Sequence, residues 1–377
     1  MKQETYLSYL KKYLHLLALY LNQKEEPDLI INDEELSFFI KLSKRHSLNA
    51  FLYQALINSH ASFSKENVNK LEQYYLANVR KSVLFEKERE ELFAFLNESH
   101  IDYLPLKGLI LKDDYLDPYT REFADNDILF DDKNSSLIKK FFVSHQYSVE
   151  SYKKSNHDIY LKKPFYNFEM HRALFYPRED NKKNITYFKN YLSKAPLKDQ
   201  YEHYLKDEDF YIYFIAHTYK HFHVSGCGIR TLIDIYLYLK NRSLDFVYIN
   251  QELNKLDLYN FETMIKNLSF KLFNEEDLSE KEEEILLYIA SSGTYGTLEH
   301  SVDKGVKEKG KFGYMMKRIF PPYSFYKSAY PWAYYTVILI PIAWLCRFFR
   351  ILFKNPKKAT QELKMIKNHQ DEKDDDK

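Results

Sequence analysis

Two short runs, Leu104-Pro105-Leu106-Lys107-Gly108 and Asp125-Asn126-Asp127-Ile128-Leu129-Phe130, decide how this chain reads. The first closes a half-alternating stretch from Ile101, a short strand ending at Gly108, with a brief helix expected over Leu109 to Tyr115. The second carries a strand over Asp127 to Phe130. Working outward, Asn134-Ser135-Ser136 suits the cap of a helix over Leu137 to His145, while Tyr147 to Tyr152, His157 to Leu161 and Tyr166 to His171 read as strands. Residues 95–180 therefore form an α/β block.

On both sides the apolar residues return to helical spacing, with Tyr6, Leu7, Leu10, Tyr13, Leu14, Leu17 and Leu21 before the block and Tyr211 to Lys220 and Ile229 to Leu239 after it. The expected organisation is a helical region over 1–94, the block, a helical region over 181–290, and a Gly-punctuated loop with an apolar helical segment over 291–355. A charged tail, 356–377, is expected to be disordered. Ser328 to Cys346 carries no charge, but Pro331, Pro341, Arg347 and Arg350 argue against a spanning helix. A buried or interfacial helix pair broken at Pro341 is expected there, with membrane contact through 332–353 as the alternative.

Composition removes whole classes of function. The chain has 377 residues with 34 Tyr and 28 Phe but only 8 Gly, enough apolar mass for a large core. Gly108 is the single glycine before residue 226, which excludes a dinucleotide GxGxxG or a Walker-type P-loop in that stretch. Lys plus Arg (55) against Asp plus Glu (54) leaves a charge of +1, so no long nucleic-acid footprint is expected. Cys227 and Cys346 are too few for a disulfide scaffold and suit a reducing cytoplasm. The apolar stretch Leu14 to Leu21 contains His15 and lacks a small-residue cleavage site, so it reads as an amphipathic helix rather than a signal peptide.

The chemistry sits in the block. Carboxylates at i and i+2 of a strand share a face, so Asp125 and Asp127 can share divalent ions, and Glu169 from another alternating segment can add a third carboxylate. Such a site suits in-line displacement at phosphorus. Gly108 lets backbone N–H groups approach phosphate, and Lys107 and Arg121 can meet its charge. Elsewhere, His217 and His221 share a helix face, read as a packed or hydrogen-bonded face with a substrate-facing role or a zinc pair as the alternatives. Arg230 and Asp234 read as an i,i+4 ion pair with substrate contact as the alternative.

Taken together, Leu104 to Gly108, the spacing from Arg121 to Asp125-Asn126-Asp127, and Phe168-Glu169-Met170-His171-Arg172 resemble the uncharacterised bacterial nucleotidyltransferases of the DNA polymerase beta-like superfamily. His217, Lys220-His221, Ile229-Arg230 and Asp234 resemble that family's helical segment, and Gly293-Thr294-Tyr295-Gly296 and Phe320-Pro321-Pro322-Tyr323 its C-terminal motifs. The resemblance implies an α+β fold, the minimal nucleotidyltransferase fold, with a mixed sheet flanked by helices and helical additions at both ends. It also implies transfer of NMP from an NTP such as ATP to an acceptor hydroxyl, with Mg²⁺ or Mn²⁺ held by Asp125, Asp127 and Glu169 and phosphate held at Lys107, Gly108 and Arg121. Two positions depart from the superfamily pattern: Leu109 follows Gly108 where Ser or Gly is usual, and Asn126 stands where an apolar residue is commoner. The acceptor is open among small molecule, sugar, protein and RNA end. The alternatives are a non-catalytic nucleotide-binding scaffold or a peripheral membrane component of polysaccharide assembly.

Overall fold

The computed structural model describes residues 3–63, 65–176, 182–224, 226–293, 298–321, 323, 325–326, 330–354 and 360. The chain divides into two compact units, Met1–Lys220 with Cys227–Thr294, and His221–Gly226 with Tyr295–Lys377.

In the first unit, helices α1 (Gln3–Leu21), α2 (Asp33–His46), α3 (Asn49–Asn58) and α4 (Lys65–Glu98) precede the sheet. Local chemistry starts α2: Asn32 accepts from the Glu34 and Glu35 backbone N–H groups while the Glu35 carboxylate accepts from the Asn32 N–H, a reciprocal cap. Tyr13, Phe39 and Phe51 from α1 to α3 are fully buried, each contributing about 1.5–3 kcal/mol of apolar burial.

Strands β1 (Tyr103–Pro105), β2 (Asn126–Phe130), β3 (Ser148–Ser151), β4 (His157–Lys162), β5 (Tyr166–His171), β6 (Leu197–Asp199) and β7 (Glu202–His203) form one mixed sheet in the order β3-β4-β5-β2-β1-β7-β6. β2 runs parallel to β5 and antiparallel to β1. The period of two sorts the side chains between faces. Ile128, Phe130, Phe168, Met170 and Tyr160 join one core with Leu92 and Leu96 of α4 and with Ile138 and Phe142 of α6 (Ser135–Ser144). A one-residue slip of β2 or β5 would drive Asp127 or Glu169 into that core, so burial of the apolar face fixes where the carboxylates stand.

The structure departs from the sequence expectations in four places. Residues 181–290 are not wholly helical, because the β6–β7 hairpin adds to the sheet through a parallel pairing of Tyr103 with Glu202. The helix expected over Leu109 to Tyr115 is one α turn, α5 (Gly108–Leu111), continued by a 3₁₀ turn over Lys112–Asp114. The Asn134 side chain makes no cap bond; Ser135 Oγ instead donates to Asp132 Oδ1 at 2.6 Å. Helices α7 (Lys182–Tyr187), α8 (Asp207–Val224), α9 (Ile229–Lys240), α10 (Phe246–Lys255), α11 (Tyr259–Phe273) and α12 (Glu280–Ser292) follow, α11 packing against both α1 and α9.

The second unit contains a helical stretch Leu298–Ile319, broken where Gly310 adopts φ 69°, and helices Pro331–Tyr334 and Ile340–Lys354. Here is the fourth departure: the Gly-punctuated loop expected ahead of the apolar segment is helical over Leu298–Ile319, whereas the expected break near Pro341 falls just ahead of it, Pro341 lying in the first turn of Ile340–Lys354, where its missing N–H costs nothing. Among the described residues no helix is long and apolar enough to cross a membrane. Thr294-Tyr295-Gly296, Pro322 and the 356–377 tail apart from Thr360 lie outside the described residues.

Candidate active site

The sheet brings the carboxylates together at the β2–β5 pairing. Asp127 and Glu169 are direct partners across the two parallel strands, and His171 follows Glu169 on the same face. Across β5, His157 of β4 pairs with His171. Asp127 is the hub: its Oδ1 accepts from Lys107 Nζ at 2.7 Å and from His171 Nε2 at 2.6 Å. Asn156 Nδ2 approaches His171 Nδ1 at 3.3 Å, which leaves the ring proton on Nε2, facing Asp127.

Lys107 reaches Asp127 through a strained turn. After β1, the Leu106 N–H donates to the Asp127 carbonyl at 3.0 Å, and Lys107 then takes φ 49°, ψ −114°, a conformation that ordinarily favours glycine. Gly108 is glycine for a different reason. A Cβ there would lie 2.7 Å from Arg121 Nη1. Arg121 cannot give way, because its Nε and Nη2 donate to Asp234 Oδ1 and Oδ2 at 2.8 and 2.9 Å, and the Tyr115 hydroxyl donates to the same carboxylate at 2.7 Å. Arg121 and Asp234 are both buried. This bidentate pair between Arg121 and Asp234 of α9 takes the place of the i,i+4 pair expected between Arg230 and Asp234; Arg230 Nη1 donates instead to the Glu122 carbonyl.

The charges in the cluster are unequal. Burial alone would raise the Asp127 carboxyl, but the Lys107 charge and the His171 hydrogen bond hold it well below the usual carboxylate range. Burial followed by the charge of Asp127 raises Asp125, and burial followed by the charges of Asp127 and Asp125 pushes Glu169 up to about 7. Burial works against the Lys107 ammonium, yet Asp127 overcomes it and raises its pKa. Burial pushes His157 down to about 4 and lowers His171, so both rings are neutral at pH 7. Two carboxylates held above their ordinary values beside a third ionised one form an oxygen donor set short of positive charge, which fits a divalent cation.

Sequence reasoning passes over several neighbours of this cluster. His171 was readable in part, since Glu169 and His171 alternate onto one face, but the β4–β5 pairing that adds His157 is not local in sequence. The buried Tyr213 on α8 feels the charges of Lys107, Asp127 and Glu169, and Lys220 on the same helix acts on Glu169, His157 and His171. Asn126, the departure from the superfamily pattern, is fully buried and accepts from Arg89 Nη1 of α4 at 3.1 Å. His217 is half-buried on α8 with its ring 6.0 Å from that of Tyr213, and His221 falls in the second unit. Among the described residues, the side chains that gather with metal-ligand spacing are His157, Glu169 and His171.

No curated protein and no solved structure matches the chain. The family model described as uncharacterised nucleotidyltransferase matches residues 32–274, a span that holds the sheet, the Lys107 turn and all three carboxylates. The chain belongs to this uncharacterised nucleotidyltransferase family.

Proposed function

We propose that the chain transfers a nucleoside monophosphate from an NTP to an acceptor hydroxyl, within the DNA polymerase beta-like fold. The observation that carries this reading is the direct pairing of Asp127 with Glu169 across β2 and β5, with Asp125 immediately ahead of β2 and its charge acting on Glu169, beside a lysine delivered by a strained glycine-containing turn. Asp125, Asp127 and Glu169 would hold Mg²⁺ or Mn²⁺, which supplies electrostatic stabilisation of the triphosphate and activation of the attacking oxygen. The acceptor oxygen forms a bond to the α-phosphorus, the bond to the bridging oxygen of the leaving pyrophosphate breaks, and the hydroxyl proton passes to the Glu169 carboxylate. Lys107 neutralises charge at the phosphate side. Arg121 acts as a positioning residue: pinned by Asp234, it sets the Gly108 turn from behind.

Labelled NTPs, Mg²⁺ or Mn²⁺ and a panel of sugar, small-molecule, protein and RNA-end acceptors test the proposal. Labelled product with stoichiometric pyrophosphate is expected from the parent chain and not from Asp125→Asn or Asp127→Asn. Equal product from the double variant would overturn the assignment of the site.

A further inference from the structure

We infer that His157, Glu169 and His171 form a binding site for a divalent transition metal, held in preference to Mg²⁺. The three donors come from two adjacent strands whose register is fixed by the paired ladder, so their spacing is a property of the sheet and not of a loop. His157 Nε2 stands 3.6 Å and His171 Nε2 3.8 Å from Glu169 Oε2, and the three ligand atoms lie within 4.8 Å of one another. Donors bonded to one zinc-like ion at ~2.0–2.2 Å in a tetrahedron stand ~3.3–3.6 Å apart; the two contacts to Glu169 already lie near that spacing, and the third, between the two imidazoles, is within 4.8 Å and takes up the larger adjustment.

The imidazole of His157 has no competing hydrogen bond to give up. Its Nδ1 is buried without a hydrogen-bond partner, and its Nε2 is beyond hydrogen-bond range of Glu169. A ligand at Nε2 would place the ring proton on Nδ1 and would cost His157 no existing hydrogen bond. His171 must exchange a bond to take part. Its Nε2 proton, now donated to Asp127, moves to Nδ1, where the Asn156 side-chain amide, turned to present its oxygen and releasing the Ala173 carbonyl to which its Nδ2 donates at 3.2 Å, accepts it; Asp127 keeps Lys107. Two neutral imidazoles with one carboxylate form a softer donor set than the all-oxygen one of Asp125 and Asp127, and imidazole nitrogen favours zinc, iron or cobalt over magnesium.

The inference shares Glu169 with the proposed transfer site but does not rest on transfer, and the test separates the two. Full-length, metal-stripped protein is titrated with Co²⁺ in excess Mg²⁺ and followed by visible absorption. One equivalent with the spectrum of a nitrogen-containing, low-coordinate site is expected, and His157→Ala should weaken binding by at least about tenfold while leaving metal-free thermal unfolding in place. Asp125→Asn, outside the triplet, should still bind Co²⁺. A spectrum indistinguishable from hydrated Co²⁺, equal affinity in His157→Ala, or displacement by equimolar Mg²⁺ would each overturn the inference. NTP turnover measured on the same samples keeps the readings apart: Co²⁺ binding without turnover defeats only the transferase proposal, and turnover without Co²⁺ binding defeats only this one.

Discussion

Two cation–carboxylate pairs flank Gly108, one buried and one half-buried on its lysine side, and they are built differently. Arg121–Asp234 is closed: both carboxylate oxygens are used, Tyr115 adds a third donor, and both partners are shielded from solvent. Lys107–Asp127 is open: one oxygen carries both the lysine and His171, Lys107 sits at positive φ, and Asp125 and Glu169 crowd the same charge. A closed pair serves the fold, because satisfying every donor is what makes a buried charge tolerable. An open pair beside carboxylates that resist ionisation is arranged for something that brings positive charge and leaves again, as a nucleotide with its cation does.

The comparison breaks most visibly in activity. Asp125→Asn should lower NTP turnover on the order of 10³-fold while leaving the unfolding midpoint nearly unmoved, because Asp125 carries charge in the cluster without belonging to the closed pair. Activity lost only in proportion to unfolded protein would erase the distinction between the two pairs. For the closed pair the expectation is the reverse. Asp234→Ala strands the Arg121 guanidinium and the Tyr115 hydroxyl in the interior, and should cost about 3–5 kcal/mol in urea unfolding. An unchanged urea midpoint would show that solvent reaches Arg121 after all.

The closed pair also marks where sequence reading stopped. The strands of 148–171 and the shared face of Asp127 and Glu169 were legible, because period-two alternation and a buried apolar face leave little freedom of register. Asp234 was not, since i,i+4 proximity to Arg230 is local information, whereas the bond to Arg121 is set by how α9 docks beside the Gly108 turn. His157 was invisible for the same reason: β4 reaches the site through β5. The β6–β7 hairpin was missed because its strands are only three and two residues long, too short for a period to register within aromatic-rich helical surroundings.

Gly108 joins the pairs and gives a smaller effect. An added methyl would meet Arg121 Nη1, which is anchored through the other two nitrogens, so Gly108→Ala should cost about 1–3 kcal/mol of stability, as overpacking does. The double variant Gly108→Ala, Arg121→Lys removes the clashing nitrogen along with the bidentate bond. If the alanine costs as much in the Arg121→Lys background as in the parent, the glycine serves some other contact.

The smallest expected effect, a pH slope in metal-free buffer, sharpens the open side. Glu169, raised to about 7 by burial and by Asp127 and Asp125, binds a proton in the folded chain at pH values where the unfolded chain, with an ordinary glutamate, has released it. The folded state then holds more protons between about pH 4.5 and 7, so this group makes stability fall as pH rises through that window. His157, pushed down to about 4, acts in the opposite sense: the unfolded chain takes up the proton first, and stability falls as pH drops from 6.5 toward 4. The two contributions oppose each other in the parent, so the informative quantity is the difference between parent and Glu169→Gln. That difference should change by on the order of 1 kcal/mol between about pH 5 and 7.5, with the glutamine variant gaining relative to the parent as pH rises. Adding a divalent cation should shrink the change, because a cation at the carboxylates favours the ionised form that burial and neighbouring charge resist. A parent-minus-variant difference flat with pH in the absence of metal would mean that water already screens Glu169 from Asp125 and Asp127, and that the open cluster is not under the charge stress that sets it apart from the closed pair.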